Sequence, residues 1–325
     1  QAVATLKYQD QGHSDLGKAI SNFETIAEIR KELLGENHPD YAMTLNDIGF
    51  CYFASGNYDK ALEYHSRAAD IRKSALGETH PDYATSLNNI GGCFSGLGDY
   101  SKALEYHRGA AEIRKSALGE THPDYASSLN NIGSCYSDLG DYGKALKFYQ
   151  ESSDIFKSAL GEDSPEYAQS INNLGYCHSR LGEYDRALEY YQKSSDILKS
   201  AFGEDHPEYA TSINNIGYCH SLLGDYRDAL ELFKKSLAIR KSFLGDNHPD
   251  CISPLRGIGV CELNLNDYQS ASDDFSEFYS RMTSIVVSAF GYLPNRSRIK
   301  YWNMYAPYFR YQLPMLSRIL QSYPS

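Results

Sequence analysis

The sequence predicts an all-α protein built as a stack of antiparallel helix hairpins. Three observations support this fold class: a 42-residue internal repeat, apolar residues at helical spacing within each repeat, and glycine-containing turns between the helical stretches. Six of the seven cysteines lie 42 residues apart, from Cys51 to Cys261. Repetition at this length indicates supersecondary units that bury a shared core by stacking.

The unit at Pro81–Gly119 shows how each element is encoded. Apolar residues at helical spacing in its first half predict one amphipathic helix, which Gly98-Asp99 ends. A second apolar stripe runs over Tyr100–Gly119, and its final glycine is typical of a helix C-cap. Proline suits the first turn of the first helix, and Arg114-Lys115 suits the negative end of the dipole of the second. Each unit is therefore predicted to be a helical hairpin.

A turn motif precedes each predicted first helix. It reads His-Pro-Asp at 38–40, 80–82, 122–124 and 248–250, His-Pro-Glu at 206–208 and Ser-Pro-Glu at 164–166. Five of these six motifs carry one histidine each, with no second ligand fixed nearby in the sequence, so the motif does not predict a row of metal sites. His65 and His107 fall at the repeat position of Tyr149 and Tyr191, which predicts a packing role for their rings.

The repeated signature resembles the tetratricopeptide repeat (TPR), in the 42-residue form of kinesin light chains and many bacterial proteins. It reads Leu-Asn-Asn-Ile-Gly at 87–91 and 129–133, Ile-Asn-Asn-Leu-Gly at 171–175 and Ile-Asn-Asn-Ile-Gly at 213–217. The resemblance implies a right-handed superhelical solenoid. We expect a degenerate N-terminal repeat at 1–36, five regular 42-residue units at 37–246, a degenerate C-terminal repeat at 247–290, and an aromatic and basic capping helix and connector at 291–325.

Composition limits the environment and the partners. The 325 residues carry a net charge of −11, no apolar run approaches the roughly 20 residues of a membrane span, and residues 1–12 lack a signal-peptide pattern. Packed helices lie about 8–10 Å apart, too far for disulfides between equivalent cysteines, so these thiols are expected to be small buried fillers in a reducing compartment. We expect a soluble cytoplasmic protein without membrane or nucleic-acid partners.

Asparagines in the first helices are the main candidate binding residues. At 100° per residue, Thr85, Asn88, Asn89, Gly92, Ser95 and Gly96 fall opposite the apolar stripe. Asparagine is a mediocre helix former, so helix propensity does not explain its recurrence. Its side chain offers one acceptor and two donors, which can hold the backbone of an extended peptide without selecting its side chains.

In TPR proteins this arc lines a concave groove whose asparagines bind peptide backbone, and the resemblance carries that role to this chain. The predicted groove residues are Asn46, Thr85, Asn88, Asn89, Ser127, Asn130, Asn131, Gln169, Asn172, Asn173, Tyr176, Asn214, Asn215 and Tyr218. The alternative is that one asparagine of each pair bridges neighbouring helices and only the other faces a ligand. The sequence has no phosphate-cradling glycine loop, His-Glu-x-x-His, Gly-x-Ser-x-Gly or Cys-x-x-Cys motif, so we expect neither catalysis nor a cofactor or metal in this chain.

The C-terminal segment departs from the acidic average. Residues 275–325 contain six basic residues and one acidic residue, a net charge of +5, which leaves −16 on the other 274 residues. Basic residues interleaved with aromatic ones can bind single-stranded nucleic acid. The alternative is a capping helix that covers the last hairpin and docks a following domain.

Residues 296–309 favour the capping alternative, because they resemble the connector between repeats and caspase-like peptidase in bacterial TPR/CHAT proteins. The resemblance implies a regulatory sensor arm, with C-terminal docking to the peptidase through Arg298, Tyr301, Trp302, Tyr305 and Phe309. The other interpretation is a non-enzymatic adaptor or assembly scaffold of the kinesin-light-chain type.

Overall fold

The computed structural model describes residues 12–246 and 248–292, together with Arg298, Trp302 and Ala306. Over these residues the chain is all-α, with consecutive helices packed in pairs and no strand, which confirms the predicted fold class. It divides into two compact units, Gln11–Ser170 and Ile171–Tyr292. No helix in the described part of the chain is both long and apolar enough to cross a membrane.

Helices of two kinds alternate along the chain. The first helices of the hairpins are α2 (Pro39–Ala54), α4 (Pro81–Gly96), α6 (Pro123–Asp138), α8 (Pro165–Arg180), α10 (Pro207–Leu223) and α12 (Ile252–Asn264), the last preceded by a 3-10 turn at Pro249–Cys251. The second helices are α3 (Tyr58–Leu76), α5 (Tyr100–Leu118), α7 (Tyr142–Leu160), α9 (Tyr184–Phe202), α11 (Tyr226–Leu244) and α13 (Tyr268–Tyr292). Helix α1 (Gly12–Leu34) lies at the repeat position of a second helix. The unit boundary falls inside α8.

The histidines of the His-Pro-Asp motif cap the first helices. The Nδ1 atom of His80 accepts a hydrogen bond from the backbone N–H of Asp82 at 3.1 Å, and Pro81 occupies the first helical turn. The same bond occurs at His38, His122, His206 and His248. An orphan backbone donor of the first turn is thereby satisfied, which gives the recurring histidine a structural role. At the other end of the hairpin, Gly119 has φ of 96° and ends α5, as predicted.

A glycine in each first helix lets the second helix approach closely. A Cβ atom placed on Gly91 would lie 2.7 Å from Cε1 of His107. The equivalent glycines pack against aromatic rings: Gly133 against Tyr149 and Gly175 against Tyr191. His107 is therefore a packing residue, as predicted, and it is only 3% exposed.

Buried arginines join successive hairpins. The Nη1 atom of Arg72 in α3 donates to the backbone oxygen of Asp82 (3.1 Å) and to Oγ of Ser86 (2.8 Å) in α4. Arg114 makes the same two bonds to the first helix of the next hairpin, and Arg240 bonds the backbone oxygen of Asp250. Arg114 was expected to interact with the C-terminal dipole of its own helix; instead its guanidinium group crosses to α6.

All seven cysteines are buried and free. Each of the six in the 42-residue register is at most 1% exposed, and burial raises the pKa of the Cys93 thiol to about 12. The predicted role as small apolar fillers is confirmed. The expected repeat boundaries remain a prediction, since residues 1–11 and most of 291–325 lie outside the described residues.

Candidate functional site

The predicted asparagines form a ladder between neighbouring first helices of the N-terminal unit. The Nδ2 atom of Asn89 in α4 donates to Oδ1 of Asn46 in α2 at 2.8 Å. One hairpin further on, Nδ2 of Asn131 in α6 donates to Oδ1 of Asn88 in α4, also at 2.8 Å. The second asparagine of one pair thus bonds the first asparagine of the preceding pair. We call these side chains the asparagine ladder.

The C-terminal unit contains a rung of the same kind. The Nδ2 atom of Asn215 in α10 donates to Oδ1 of Asn172 in α8 at 3.2 Å. The next rung is missing because Gly257 stands where α12 would need an asparagine. Asn214 is only 7% exposed, and its Nδ2 donates to Oγ of Ser253. Because the rung is missing, its buried Oδ1 has no donor. Asn214 was predicted to face the groove and is instead buried.

Each complete rung leaves amide atoms unused. Within the described residues, the Nδ2 groups of Asn46, Asn88 and Asn172 have no hydrogen-bond partner, and neither do the Oδ1 atoms of Asn89, Asn131 and Asn215. These six side chains are half-buried rather than buried. Both asparagines of the pair Asn88-Asn89 therefore bridge helices, and both keep hydrogen-bonding capacity, a combination that neither of the two predicted alternatives described.

Two buried histidines hold the first asparagines of the ladder in the N-terminal unit. Nδ1 of His65 lies 2.8 Å from Oδ1 of Asn46, and Nδ1 of His107 lies 3.0 Å from Oδ1 of Asn88. Because an amide oxygen only accepts, each ring is the donor through Nδ1–H. Burial lowers the pKa of both histidines to about 4, so the rings are neutral at pH 7. Each amide oxygen thus receives two hydrogen bonds, which fixes the side-chain orientation.

The hydroxyl groups near the ladder are mostly engaged. Oγ1 of Thr85 donates to the backbone oxygen of Pro81 and accepts from Nη2 of Arg114 at 3.2 Å. Oγ of Ser127 donates to the backbone oxygen of Pro123. These two predicted residues therefore line the face without offering a free hydroxyl proton.

The remaining predicted residues differ in exposure. Gln169, Tyr176 and Tyr218 are exposed, the two tyrosines at 43% and 41%, while Asn130 and Asn173 are half-buried. Gly96 was expected on the same arc and instead lies against the preceding hairpin, because a Cβ there would sit 2.6 Å from the ring of Tyr58.

Three residues on the exposed arc of α2 are not among the predicted groove residues. Met43 and Phe50 are 42% and 43% exposed, and Asp47 between them is half-buried. Their positions correspond to Thr85, Gly92 and Asn89 in the next repeat. Comparison of equivalent positions would have found them, since an apolar or acidic residue replaces a polar or neutral one at each.

Two of the predicted C-terminal docking residues are described. The ring of Trp302 is 45% exposed and lies 6.5 Å from that of Phe290, and Arg298 is half-buried. Tyr301, Tyr305 and Phe309 lie outside the described residues.

The hairpins contact one another through repeated helix-to-helix packing, and their first helices carry a polar ladder. These two features define a helical-repeat protein, a class that is typical of interaction scaffolds. The tetratricopeptide repeat family model matches residues 13–74, 42–116, 97–158, 124–200 and 166–242. These matches together span more than half of the chain, which belongs to the tetratricopeptide repeat family. Comparison with curated proteins gave no match.

Solved structures share the fold at low identity. BtubC (BKLC) from P. vanneervenii is 21% identical, with a TM-score of 0.59 over 72% of this chain and 94% of that one. A kinesin light chain candidate with nearly identical TPR-like repeats from Podosopora anserina is 20% identical, with a TM-score of 0.53 over 63% of this chain and 97% of that one. A Rap protein complexed with Competence and Sporulation Factor is 14% identical, with a TM-score of 0.60 over 95% and 88%. At these identities the likeness extends to the fold alone.

Proposed function

We propose that this chain is a protein-interaction module that binds an extended polypeptide along the asparagine ladder. The observation that carries the proposal is the set of unused amide atoms on fixed rungs. A free Nδ2 group can donate to a peptide carbonyl, and a free Oδ1 atom can accept from a peptide N–H. An extended peptide presents both groups along its backbone, so the ladder suits it irrespective of side-chain sequence.

The fixed orientation of the rungs supports the proposal energetically. Oδ1 of Asn88 already receives hydrogen bonds from His107 and Asn131, so the amide loses little further freedom when a ligand binds. Preorganisation of this kind increases affinity, because ordering a free side chain costs about 0.5–1.5 kcal/mol on binding. In the C-terminal unit, Tyr176 and Tyr218 lie on the two helices of the Asn172–Asn215 rung, where they add amphipathic contact area.

The proposal is tested with peptides selected on the full chain from a random-peptide phage library, then labelled and measured by fluorescence anisotropy. The informative variant is Asn88→Asp, which keeps the Oδ1 acceptor for His107 and Asn131, replaces the free amide donor with a second carboxylate oxygen, and adds one negative charge. We expect affinity to fall about five- to tenfold, the effect of one lost hydrogen bond to the ligand.

The matched control is Asn57→Asp. Asn57 caps α3 through its Oδ1 atom, and aspartate occupies the equivalent cap at Asp99 and Asp141. The control changes charge by the same amount without touching the ladder, and peptide affinity should not change. Circular dichroism checks that each variant keeps its helicity. If no peptide is selected, or if Asn88→Asp binds as tightly as the control, the ladder is not a peptide site.

The segment 296–309 adds a second part to the proposal: the chain acts as the regulatory sensor arm of a caspase-like CHAT peptidase. This part of the proposal is supported by the resemblance of residues 296–309 to the connector of TPR/CHAT proteins. Within the segment, the structure describes Arg298 and Trp302. Ligand binding on the ladder would then be transmitted through the C-terminal segment to a peptidase domain.

The natural gene product tests this second part. A cysteine-peptidase active-site probe should label the full-length polypeptide, and addition of a ladder-binding peptide should change the labelling rate. A full-length product without a reactive cysteine and histidine would leave the adaptor or assembly scaffold of the kinesin-light-chain type as the function of the module.

A further inference from the structure

The N-terminal end of the ladder differs from the rest in charge. At the position held by Asn89, Asn131, Asn173 and Asn215 in later repeats, α2 carries Asp47. No described residue forms a hydrogen bond or an ion pair with the Asp47 carboxylate. Partial burial raises its pKa, and the more distant Arg30 and Arg72 offset this only in part. The carboxylate is therefore partly desolvated and lacks a direct cationic partner.

The same end of the ladder contains a notch. Phe50 lies one helical turn after Asp47 and is exposed, whereas the equivalent position on α4 is Gly92 and on α6 is Ser134. Tyr176 and Tyr218 fill that position in later repeats. A Cβ on Gly92 would meet only the ring of Phe53, at an ordinary contact distance of 3.7 Å. Compared with the repeats that carry Tyr176 and Tyr218, the position of Gly92 next to the ring of Phe53 therefore lacks a large side chain, and this gap is the notch.

Charge and shape together specify an occupant. A cationic side chain would supply the partner that Asp47 lacks, and an apolar side chain in the notch would cover the exposed ring of Phe50. One ligand that also follows the ladder can make both contacts at once, and their contributions to affinity then add on the same polypeptide. The rungs Asn46–Asn89 and Asn88–Asn131 lie on the same three helices.

Resting on the proposed function, we infer that the α2–α4–α6 face binds a polypeptide segment in which a lysine or arginine lies close to a large apolar residue. The basic side chain pairs with Asp47, and the apolar side chain enters the notch at Gly92 beside Phe50. The asparagine rungs hold the intervening backbone. Selectivity at this end of the ladder therefore comes from one charge and one cavity.

The same random-peptide selection on the full chain tests the inference. We expect selected peptides to be enriched in basic residues near large apolar ones. Asp47→Asn introduces the residue found at this position in later repeats, and it should weaken the best peptide about fivefold, the effect of one half-buried charge pair. Gly92→Tyr introduces the residue found at 176 and 218, and it should weaken the peptide at least as much by filling the notch.

A control variant separates the site from overall charge. Glu112→Gln removes one negative charge from an exposed position on α5 and should leave affinity unchanged. Thermal melting checks the fold of each variant, and Asp47→Asn remains informative if Gly92→Tyr is unstable. If Asn88→Asp weakens the peptide while Asp47→Asn and Gly92→Tyr do not, the ladder binds peptide but this inference is wrong. If Asn88→Asp also has no effect, the proposed function fails as well.

Discussion

Acid should destabilise the first two regular hairpins selectively, because their ladder asparagines are held by neutral buried imidazoles. Burial lowers the pKa of His65 and His107 from 6.5 to about 4. When a hairpin opens, its histidine returns to an ordinary pKa and binds a proton below pH 6.5. The open state therefore binds more protons than the folded state between pH 6.5 and about 4. Stability is full above this window and is lost as pH falls through it.

The magnitude follows from the size of the shift. Integrated from pH 7 down to pH 4.5, a change in pKa from 6.5 to about 4 removes about 2 kcal/mol for each ring. In hydrogen exchange this corresponds to a loss of about 30-fold in amide protection. The later hairpins lack the effect, because Tyr149, Tyr191 and Phe233 occupy the equivalent position and do not titrate in this range.

Hydrogen exchange measured by mass spectrometry on the full chain resolves the hairpins. Protection of α3 and α5 is compared at the two pH values with that of α9, which serves as the internal reference because it contains Tyr191. The matched variant is His107→Tyr, which places over Gly91 the side chain that Gly133 accepts. The acid-induced loss should then disappear from α5 and persist in α3. An equal loss in α5 of the wild type and of the variant would refute the reasoning.

Three further outcomes are expected. Gly91→Ala should lower the free energy of unfolding, measured by urea denaturation, by about 1–3 kcal/mol, because its Cβ would meet a buried ring at 2.7 Å. The control Gly109→Ala, whose Cβ would make an ordinary 3.6 Å contact, should be neutral or stabilising. Arg72→Ala should cost about 2–4 kcal/mol by leaving a cavity and unpaired acceptors. Arg72→Leu, the residue found at 198, should recover the part of that loss due to the cavity, because it fills the space but donates no hydrogen bond. Burial and the facing Asp274 carboxylate raise the pKa of Glu262 to about 7 despite an ion pair with Lys234, so the folded state binds the proton more tightly than the unfolded state. The stability of the last hairpin should consequently fall as pH rises from about 4.5 through 7, by up to about 3 kcal/mol. Glu262→Gln should abolish this fall in the hydrogen-exchange protection of α12 between pH 5 and 8.

The repeat and the helical spacing were sufficient to predict the hairpins. Apolar positions recur at the spacing of a helix face, and Gly98-Asp99 and Gly119 mark the ends of helices that the structure places at Gly96 and Leu118. Each of these signals acts within one turn of the chain, where sequence determines conformation directly. The buried free cysteines followed from the same register.

The site was only partly predictable, because its bonds connect residues far apart in the sequence. The arc of Asn88 and Asn89 followed from helical periodicity, but the bond from Asn131 to Asn88 spans 43 residues and depends on the stagger of neighbouring helices. The crossing of Arg114 to α6 depends on the same stagger. The sequence showed Asp47 only as a departure from the repeat. That its carboxylate is half-buried and has no ion-pair partner among the described residues could be read only from the structure.

Every hairpin contains one buried cysteine of the 42-residue register, and this regular spacing has a practical consequence. Six of the cysteines from Cys51 to Cys261 are evenly spaced chemical reporters, with Cys251 as a second thiol of the last hairpin. Each can react with an alkylating reagent only when its own hairpin opens. Labelling followed by peptide mapping would record the opening frequency of each hairpin in the unmodified protein. The same map, taken with and without ligand, would show how far along the chain the effect of binding extends.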